Sequence, residues 1–229
     1  MIQLYTDQSP HAWKASVLLE ELELPYQAHH VRMALKEQKR PEYLAISPWG
    51  VVPTIVDPEA GDLAVIESGA ILIYLAEKTG RLLPQEARPR SEVIQWLMFH
   101  TANIGPTQGG ADVLQYEVPK PIPEAVEYFR ERTLGLYAVL ERRLEEREYL
   151  AGAFSIADIA NWTYVGTSEW VGIGLEPFPN LRRWLGAMAR RPGCRRGLNV
   201  PIALDPDAVP AGFEKYRRYI EIVKSMLDR

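Results

Sequence analysis

The first 80 residues alternate between short apolar runs and segments with helical spacing. Alternation of apolar and polar positions predicts strands, whereas apolar residues that recur every three or four positions predict helices. The predicted elements are strand 2–5, helix 12–24, strand 26–33, helix 41–47, strand 51–57, strand 63–68 and helix 68–80. The turn PEAGD between the last two strands indicates a hairpin. The predicted order is therefore β-α-β-α-β-β-α.

Beyond residue 80 the pattern changes. The segment RLLPQEARPR, residues 81–90, has two prolines and no periodicity, and predicts a linker between a first domain, 1–80, and a helical domain, 91–229. In SIAD, Ser155 precedes Asp158 by three residues, which predicts a helix start with a structural role for the carboxylate. The last helical pattern carries one apolar face, formed by Phe213, Tyr216, Ile220, Val223 and Leu227.

The composition and the net charge limit the kinds of partner that the protein is expected to bind. The chain has 229 residues, of which 47% are hydrophobic and 24% charged, as in globular proteins. A net charge of −4 predicts no general attraction to nucleic acid or to anionic membranes. No apolar window is long enough for a membrane span, and we expect a cytoplasmic protein. The first 80 residues hold 6 basic against 11 acidic side chains, so an anionic ligand there needs local donors.

The single cysteine, Cys194, excludes an internal disulfide and a multi-cysteine metal site. It lies in RRPGCRRG, which we expect to be an exposed basic turn. A thiol beside arginines can be reactive. We favour the alternative, an incidental cysteine near a helix end.

The segment YTDQSPHAWK joins the first strand to the first helix through a polar turn. A helix that starts directly after a strand presents backbone N–H groups and the positive end of its dipole, which favour a small anion. The turn offers Ser9, His11 and Lys14 but no cysteine. These residues alone do not indicate which group would act as the nucleophile at this turn.

Two further segments offer binding groups. Pro53 opens a strand but cannot donate to its ladder. If the Val52–Pro53 bond is cis, the Val52 backbone turns outward and can pair with an extended peptide; an ordinary trans bond is the alternative. In ESGAI, Ser68 at a helix start suits a carboxylate and Glu67 suits an ammonium group. Alternatively, Ser68 only caps the helix and Glu67 is solvated.

These motifs, in this order, resemble the cytosolic glutathione transferases over essentially the whole chain. QLYTDQSPHAWK, RPEYLAISPWGVVPTIVD, ESGAILIYLAEKTG and FSIADIA are most similar to the bacterial Nu-class enzymes and their glutathione-dependent disulfide-bond oxidoreductase relatives. The resemblance implies a thioredoxin-like N-terminal domain, an all-α C-terminal domain and a cis bond at Pro53. It also implies that the nucleophile is the thiol of glutathione, a co-substrate, and that no metal is used.

The resemblance gives Ser9 and His11 the catalytic positions. Ser9 stands where Nu-class relatives have a threonine whose hydroxyl faces the sulfur, and His11 stands where they have an asparagine. A protonated His11 would favour the thiolate more than a neutral one. The alternative is that His11 is a solvent-facing loop residue.

The other implied glutathione contacts involve both backbone and side chains. They are Gln38 with the glycyl carboxylate or nearby backbone, Val52 beside Pro53 with the cysteinyl backbone, and Glu67 with Ser68 for the γ-glutamyl end. Relatives also have an arginine where this chain has Tyr128. Arg130 and Arg132 lie close to that position but do not match it.

The function implied is transfer of glutathione to a small electrophile, or reduction of a small disulfide with formation of glutathione disulfide. A non-catalytic glutathione-binding or regulatory protein, and a lyase or dehalogenase, are the alternatives. We expect a homodimer. Candidates for the second-substrate pocket in the helical domain, which could equally be core residues, are His100, Asn103, Tyr116, Trp162, Tyr164 and Trp170.

Overall fold

The first 80 residues contain the predicted elements in the predicted order. A computed structural model describes residues 1–209 and 214–228 of the chain. The elements of this segment are β1 (Ile2–Thr6), α1 (Ala12–Leu22), β2 (Tyr26–His30), α2 (Pro41–Leu44), β3 (Thr54–Asp57), β4 (Leu63–Val65) and α3 (Ser68–Thr79).

The four strands pair in the order β2-β1-β3-β4. The β1–β2 pair is parallel, while β1–β3 and β3–β4 are antiparallel. Along β1 the buried side chains alternate, and Leu4 lies opposite Ile55, with both fully buried. A mixed sheet of this connectivity, with helices between its strands, confirms the predicted thioredoxin-like fold.

Element ends differ from prediction for local backbone reasons. Helix α1 ends at Leu22, because Glu23 adopts a left-handed conformation with φ of 55°. Strand β2 ends at His30, and a short 3-10 turn begins at Met33. The prediction of Ser68 as an N-cap is wrong: Glu67 is the N-cap residue of α3, and Ser68 is its first helical residue.

The rest of the chain is dominated by helices. They are α4 (Ala87–Phe99), α5 (Gly105–Tyr116), α6 (Pro123–Leu144), α7 (Ile156–Val165), α8 (Pro179–Ala189), α9 (Pro192–Leu198) and α10 (Glu214–Leu227). A π-helical turn, His100–Ile104, joins α4 to α5. Helix α4 starts inside the predicted linker, and α5 forms although its first half, GPTQGG, is rich in helix-breaking residues. These helices confirm the all-α expectation for this part of the fold.

The contacts divide the chain into two compact units. One consists of Met1–Leu83 together with Arg191–Leu204, and the other of Pro84–Arg190 with the described residues of Asp205–Arg229. The return of the chain to the first unit was not anticipated. The predicted domain limits of 1–80 and 91–229 stay a prediction.

In the first unit, α9 packs closely on α1. A Cβ atom at Gly197 would lie 2.6 Å from the Val17 backbone nitrogen, so only glycine fits there. The Ser16 hydroxyl donates to the Gly197 carbonyl at 2.7 Å. Two ion pairs, Arg191–Glu21 and Arg196–Glu20, both at 2.6 Å, flank this contact.

This packing overturns the expectation of an exposed Cys194. The residue is fully buried in α9, and its backbone N–H donates to the Glu21 carboxylate at 3.1 Å. Two of the flanking arginines that suggested an exposed turn, Arg191 and Arg196, form ion pairs at the edge of the contact instead. A buried thiol of this kind is a packing residue.

In the second unit, a capping box starts α7 as predicted. The carboxylate of Asp158 accepts hydrogen bonds from the backbone of Leu150 and Ser155 and from the Trp184 indole, at 2.9–3.0 Å. Burial raises the pKa of Asp158 to about 6, and the hydrogen bonds oppose this shift. The structural role expected of Asp158 is thus the one observed.

The C-terminal helix α10 buries part of its predicted apolar face. Ile220 and Val223 are buried, while Tyr216 and Leu227 are half-buried. Phe213, the first member of the predicted face, lies outside the described residues. Within residues 1–209 and 214–228, no helix has the length and apolarity that crossing a membrane requires.

We predict that Gly197→Ala destabilises the first unit, because the added methyl group overlaps the α1 backbone. The expected loss is roughly 1–3 kcal/mol in the free energy of unfolding. Gly135→Ala is a matched control, since nothing lies within 4 Å of the new Cβ on α6. That control should gain about 1 kcal/mol through helix propensity. Thermal unfolding of both variants checks the pair, and equal midpoints would contradict the α1–α9 packing.

Candidate functional site

Ser9 stands at the start of α1 and is half-buried. Its hydroxyl oxygen accepts a hydrogen bond from the Ala12 N–H at 3.2 Å, and its carbonyl accepts from the Trp13 N–H at 3.0 Å. A hydroxyl has one hydrogen to donate besides its acceptor lone pairs. The contact with Ala12 uses the acceptor side, so the hydrogen can be directed at a ligand beside the helix start.

His11 is the N-cap residue of α1 and is exposed overall. Its ring nitrogen Nδ1 lies 3.4 Å from the Lys14 ammonium. Partial desolvation of the ring, together with the positive charge of Lys14, lowers the pKa of His11 well below its ordinary value. A neutral ring at neutral pH is therefore favoured over the protonated form considered from the sequence.

Lys14 is buried in the first turns of α1. Its Nζ lies 3.3 Å from the Ser68 hydroxyl oxygen, so it connects the start of α1 to the start of α3. Burial lowers the pKa of Lys14 to about 7, and the negative charge of Glu67 opposes that shift. From the sequence, Lys14 is one of the polar residues of the turn, with no role assigned to its side chain. Its place among the apolar residues of AWKASVLL was the available signal.

The Val52–Pro53 peptide bond is cis, as the resemblance implies. Val52 is buried in one apolar cluster with Ala12, Val31 and Tyr43. Within the described residues, neither the N–H nor the C=O of Val52 takes part in a hydrogen bond. Buried backbone groups are nearly always paired in native proteins. These two groups therefore offer a short edge to which an extended peptide can bind.

Gln38 is also buried, in a 3-10 turn formed by Glu37–Lys39. Its side-chain oxygen has no hydrogen-bond partner in the described part of the chain. Gly50, with φ of 63°, passes so close that a Cβ there would lie 2.6 Å from the Gln38 carbonyl. This contact holds Gln38 beside the loop that leads to Val52.

Glu67 has an unusual backbone for a residue with a side chain, with φ of 66° and ψ of 115°. Such conformations cost on the order of 1–3 kcal/mol and cluster at functional sites. The residue is exposed, and Ser68 beside it is half-buried. The strained N-cap places an acidic side chain next to a helix N-terminus, where an ammonium and a carboxylate can both be bound.

The structure thus brings most predicted site residues together around α1. Val52 shares a cluster with Ala12, and Ser68 contacts Lys14. Polar groups there can bind a peptide backbone, a zwitterion and an anion. A search of residues 1–209 and 214–228 finds no group of three or more acidic, histidine or cysteine side chains that could hold a metal.

The candidates in the helical unit divide into core and partly accessible residues. Those that are buried are His100, Trp162, Tyr164 and Trp170. Asn103 and Tyr116 are half-buried, and the Tyr116 hydroxyl donates to the Trp170 carbonyl at 3.1 Å. Most of the candidates for the second-substrate pocket are therefore core residues, which is the alternative interpretation.

The two arginines near Tyr128 have different partners. Arg130 donates to the Val171 carbonyl at 2.6 Å and to the Gln115 side chain at 2.8 Å. The Arg132 guanidinium lies over the Tyr128 ring, 5.7 Å from its centroid. Arg130 is thus used within its own unit, whereas Arg132 stacks on Tyr128, at the position where the resemblance implies an arginine.

Comparison with known proteins agrees with this fold. The family models for the glutathione S-transferase N-terminal and C-terminal domains match residues 8–78 and 106–192. The disulfide-bond oxidoreductase YfcG of Escherichia coli is 39% identical over 86% of this chain and 94% of its own length.

Two solved structures are similar over most of their length. A glutathione transferase from Burkholderia graminis, with two glutathione molecules per subunit, has a TM-score of 0.81 and 40% identity, covering 87% of this chain and 88% of that one. A Pseudomonas putida glutathione transferase, with one glutathione disulfide per subunit, has a TM-score of 0.82 and 34% identity, covering 87% and 91%.

A thioredoxin-like unit with a cis-proline loop, joined to a helical unit, is the architecture of proteins with the glutathione transferase fold. The matches to both domains and to a relative over nearly its full length define the particular family. The chain belongs to the glutathione S-transferase family.

We predict that the His11 ring stays neutral from pH 8 down to about pH 6, because desolvation and Lys14 both disfavour its cation. A titration of the histidine ring signals by NMR measures this, with His11→Asn identifying the His11 signal. A midpoint at the ordinary value of about 6.5 would contradict the arrangement around Lys14.

Proposed function

We propose that this protein binds glutathione on its thioredoxin-like unit and activates the glutathione thiol for attack on a small electrophile or a small disulfide. The observation that carries the proposal is the backbone of the buried residue Val52, whose N–H and C=O have no partner within the described residues. An extended tripeptide satisfies both groups in the manner of an added strand. Membership in the glutathione S-transferase family supports the same ligand.

We propose the remaining contacts from the family resemblance, and the positions of the polar residues support them. Glu67 binds the γ-glutamyl ammonium group and Ser68 the adjoining carboxylate, while the buried Gln38 amide binds at the glycyl end. Ser9 and His11, at the start of α1, lie beside the sulfur. In this arrangement each part of glutathione meets a group of complementary charge or hydrogen-bonding capacity.

The chemistry requires a thiolate, since the thiol itself is a poor nucleophile. An unperturbed thiol has a pKa of about 8.5, so only a few per cent is ionised at neutral pH. The Ser9 hydroxyl donates to the sulfur and the helix dipole of α1 favours its negative charge. Both interactions stabilise the thiolate and raise its fraction. The absence of a cysteine in the turn is thereby explained, because the ligand brings the sulfur.

The activated sulfur has two possible reactions. With an electrophile, the thiolate forms a carbon–sulfur bond and a leaving group departs or a proton is taken up. With a disulfide, it forms a mixed disulfide and releases one thiolate, and a second glutathione then gives glutathione disulfide and the other thiol. The name of YfcG and the bound glutathione disulfide of the Pseudomonas putida relative support the second reaction.

A non-catalytic glutathione-binding protein is the less favoured alternative. Binding alone needs the Val52 edge and the Glu67–Ser68 pair, but it does not need a donor aimed at the sulfur. We propose Ser9 as such a donor, because its contact with the Ala12 N–H uses only the acceptor side of its hydroxyl. The names of the curated relatives, a disulfide-bond oxidoreductase and glutathione S-transferases, are also those of enzymes.

We predict that Ser9→Ala lowers turnover with glutathione by at least roughly tenfold while its glutathione affinity stays within about twofold. The donor serves the thiolate, whereas the rest of the tripeptide supplies most of the binding. The assay uses a small disulfide, a chlorinated aromatic and an organic hydroperoxide, each with glutathione. Calorimetry with glutathione measures the affinity.

The outcomes of this assay separate the alternatives. Ser9→Thr restores the relatives' residue and should retain turnover. If the parent protein binds glutathione but turns over none of the three substrates, the binding-protein alternative replaces the enzyme. Full turnover by Ser9→Ala would remove the hydroxyl from the mechanism.

We also propose a homodimer in the cytoplasm, where glutathione is kept reduced. The acidity of the first 80 residues gives the dimer little support, because Glu20 and Glu21 pair with arginines of the same unit. Exposed aromatic side chains give better support, since such residues are enriched at interfaces. Trp49 is 76% exposed and Tyr128 54%.

Light scattering at micromolar concentration tests the dimer. We expect a mass of twice the 26.0 kDa of one chain, and Trp49→Ala should shift it toward the monomer if this side chain lies in the interface. A mass near 26.0 kDa for the parent protein would refute the dimer.

A further inference from the structure

Lys14 is a buried lysine with polar neighbours at both ends of the candidate glutathione site. Only 1% of the residue is exposed, and lysine is almost never buried to this degree unless its charge is paired. Its Nζ lies 3.3 Å from Ser68 Oγ and 3.4 Å from His11 Nδ1. The Lys14 ammonium therefore contacts both Ser68, which we propose to bind the γ-glutamyl end of glutathione, and His11, which we propose to lie near its sulfur.

The hydrogen-bonding capacity of these groups fixes the direction of both contacts. A lysine ammonium has three hydrogens to donate and no lone pair to accept with. The Ser68 oxygen must therefore accept from Lys14, which leaves the Ser68 hydrogen to donate elsewhere. His11 Nδ1 must likewise accept, which places the hydrogen of the neutral ring on Nε2.

We propose that Lys14 is a positioning residue whose ammonium holds Ser68 and His11 in their donor states, so that Ser68 donates to the γ-glutamyl carboxylate and His11 Nε2 donates toward the sulfur. The inference rests on the proposed binding of glutathione. In this arrangement the buried Lys14 ammonium, next to Ser68, supplies the positive charge that balances the γ-glutamyl carboxylate. Glu67 cannot supply that charge, because its side chain is exposed and acidic.

The arrangement makes the binding of the γ-glutamyl end depend on pH. Within residues 1–209 and 214–228, the titratable groups with an electrostatic effect on Lys14 or from it include His11 on its own helix and Glu67 at the start of α3. Burial lowers the Lys14 pKa to about 7, although the negative charge of Glu67 opposes this shift. The Lys14 ammonium that donates to Ser68 and His11 is therefore present below that pH and is lost above it. A bound carboxylate favours the cation, so binding above pH 7 takes up a proton.

The test uses S-methylglutathione, because it keeps the γ-glutamyl carboxylate but has no thiol to titrate. Calorimetry at pH 6 and pH 8 compares the parent protein with Lys14→Met and Lys14→Arg. The first variant removes the charge at nearly constant length, and the second keeps a charge and donors at every pH. Thermal unfolding establishes that each variant is folded.

For the parent, we expect affinity about fivefold weaker at pH 8 than at pH 6, as a cation with a pKa near 7 is lost. Lys14→Met should bind roughly tenfold more weakly at pH 6 and show no further loss at pH 8. Lys14→Arg should bind S-methylglutathione with the same affinity at pH 6 and at pH 8, because the guanidinium stays charged at both. A Lys14→Met profile that follows the parent's, or a Lys14→Arg profile with the parent's loss, would overturn the role of Lys14.

A measurement on the parent alone keeps the proposal testable if both variants fail to fold. Calorimetry at pH 7.5 in phosphate and in Tris, whose ionisation enthalpies differ, should reveal proton uptake on binding S-methylglutathione; no uptake would overturn the proposal. A parent protein that does not bind S-methylglutathione or glutathione at either pH refutes the proposed function itself, which is a distinguishable result.

Discussion

The burial of helix α1 is the constraint on which the arrangement of the first unit depends. Every residue from Ala12 to Leu19 is buried, and β1, α3 and α9 all pack against the helix. Gly197 allows α9 to approach the α1 backbone, and the ion pairs of Glu20 and Glu21 fix its far end. A helix held on several sides has little freedom to move its first turn. The residues of that turn are therefore positioned by packing rather than by loop contacts.

The candidate site depends on this packing in two ways. Ala12 shares an apolar cluster with Val52, so the peptide-binding edge lies against the helix start. Lys14 reaches Ser68, so the start of α3 is connected to the same turn through a polar contact. Apolar packing supplies the position and hydrogen bonding supplies the orientation. A site of this kind can act on a thiol that arrives with its ligand, because it needs fixed donors rather than a nucleophile.

Much of the fold could be predicted because the relevant signals are local. Alternation along β1 and the serine–aspartate spacing at α7 depend on residues close in the chain. Helix α5 forms although its first half has poor helical propensity, because tertiary packing outweighs propensity there. Cys194 was placed at the surface because its arginine neighbours are charged. Their partners, Glu20 and Glu21, lie some 170 residues earlier in the chain.

The sequence by itself determined the order of the elements, the cis-proline loop implied by family resemblance, and the residue types available to bind glutathione. Periodicity and short motifs carry that information because they reflect neighbours within a few positions. Only the tertiary structure decided that the Val52 backbone has no hydrogen-bond partner among the described residues, that Gln38 is buried, and that Lys14 lies between His11 and Ser68. Burial, desolvation and hydrogen-bond direction arise from residues distant in sequence, since they depend on what surrounds a group in space.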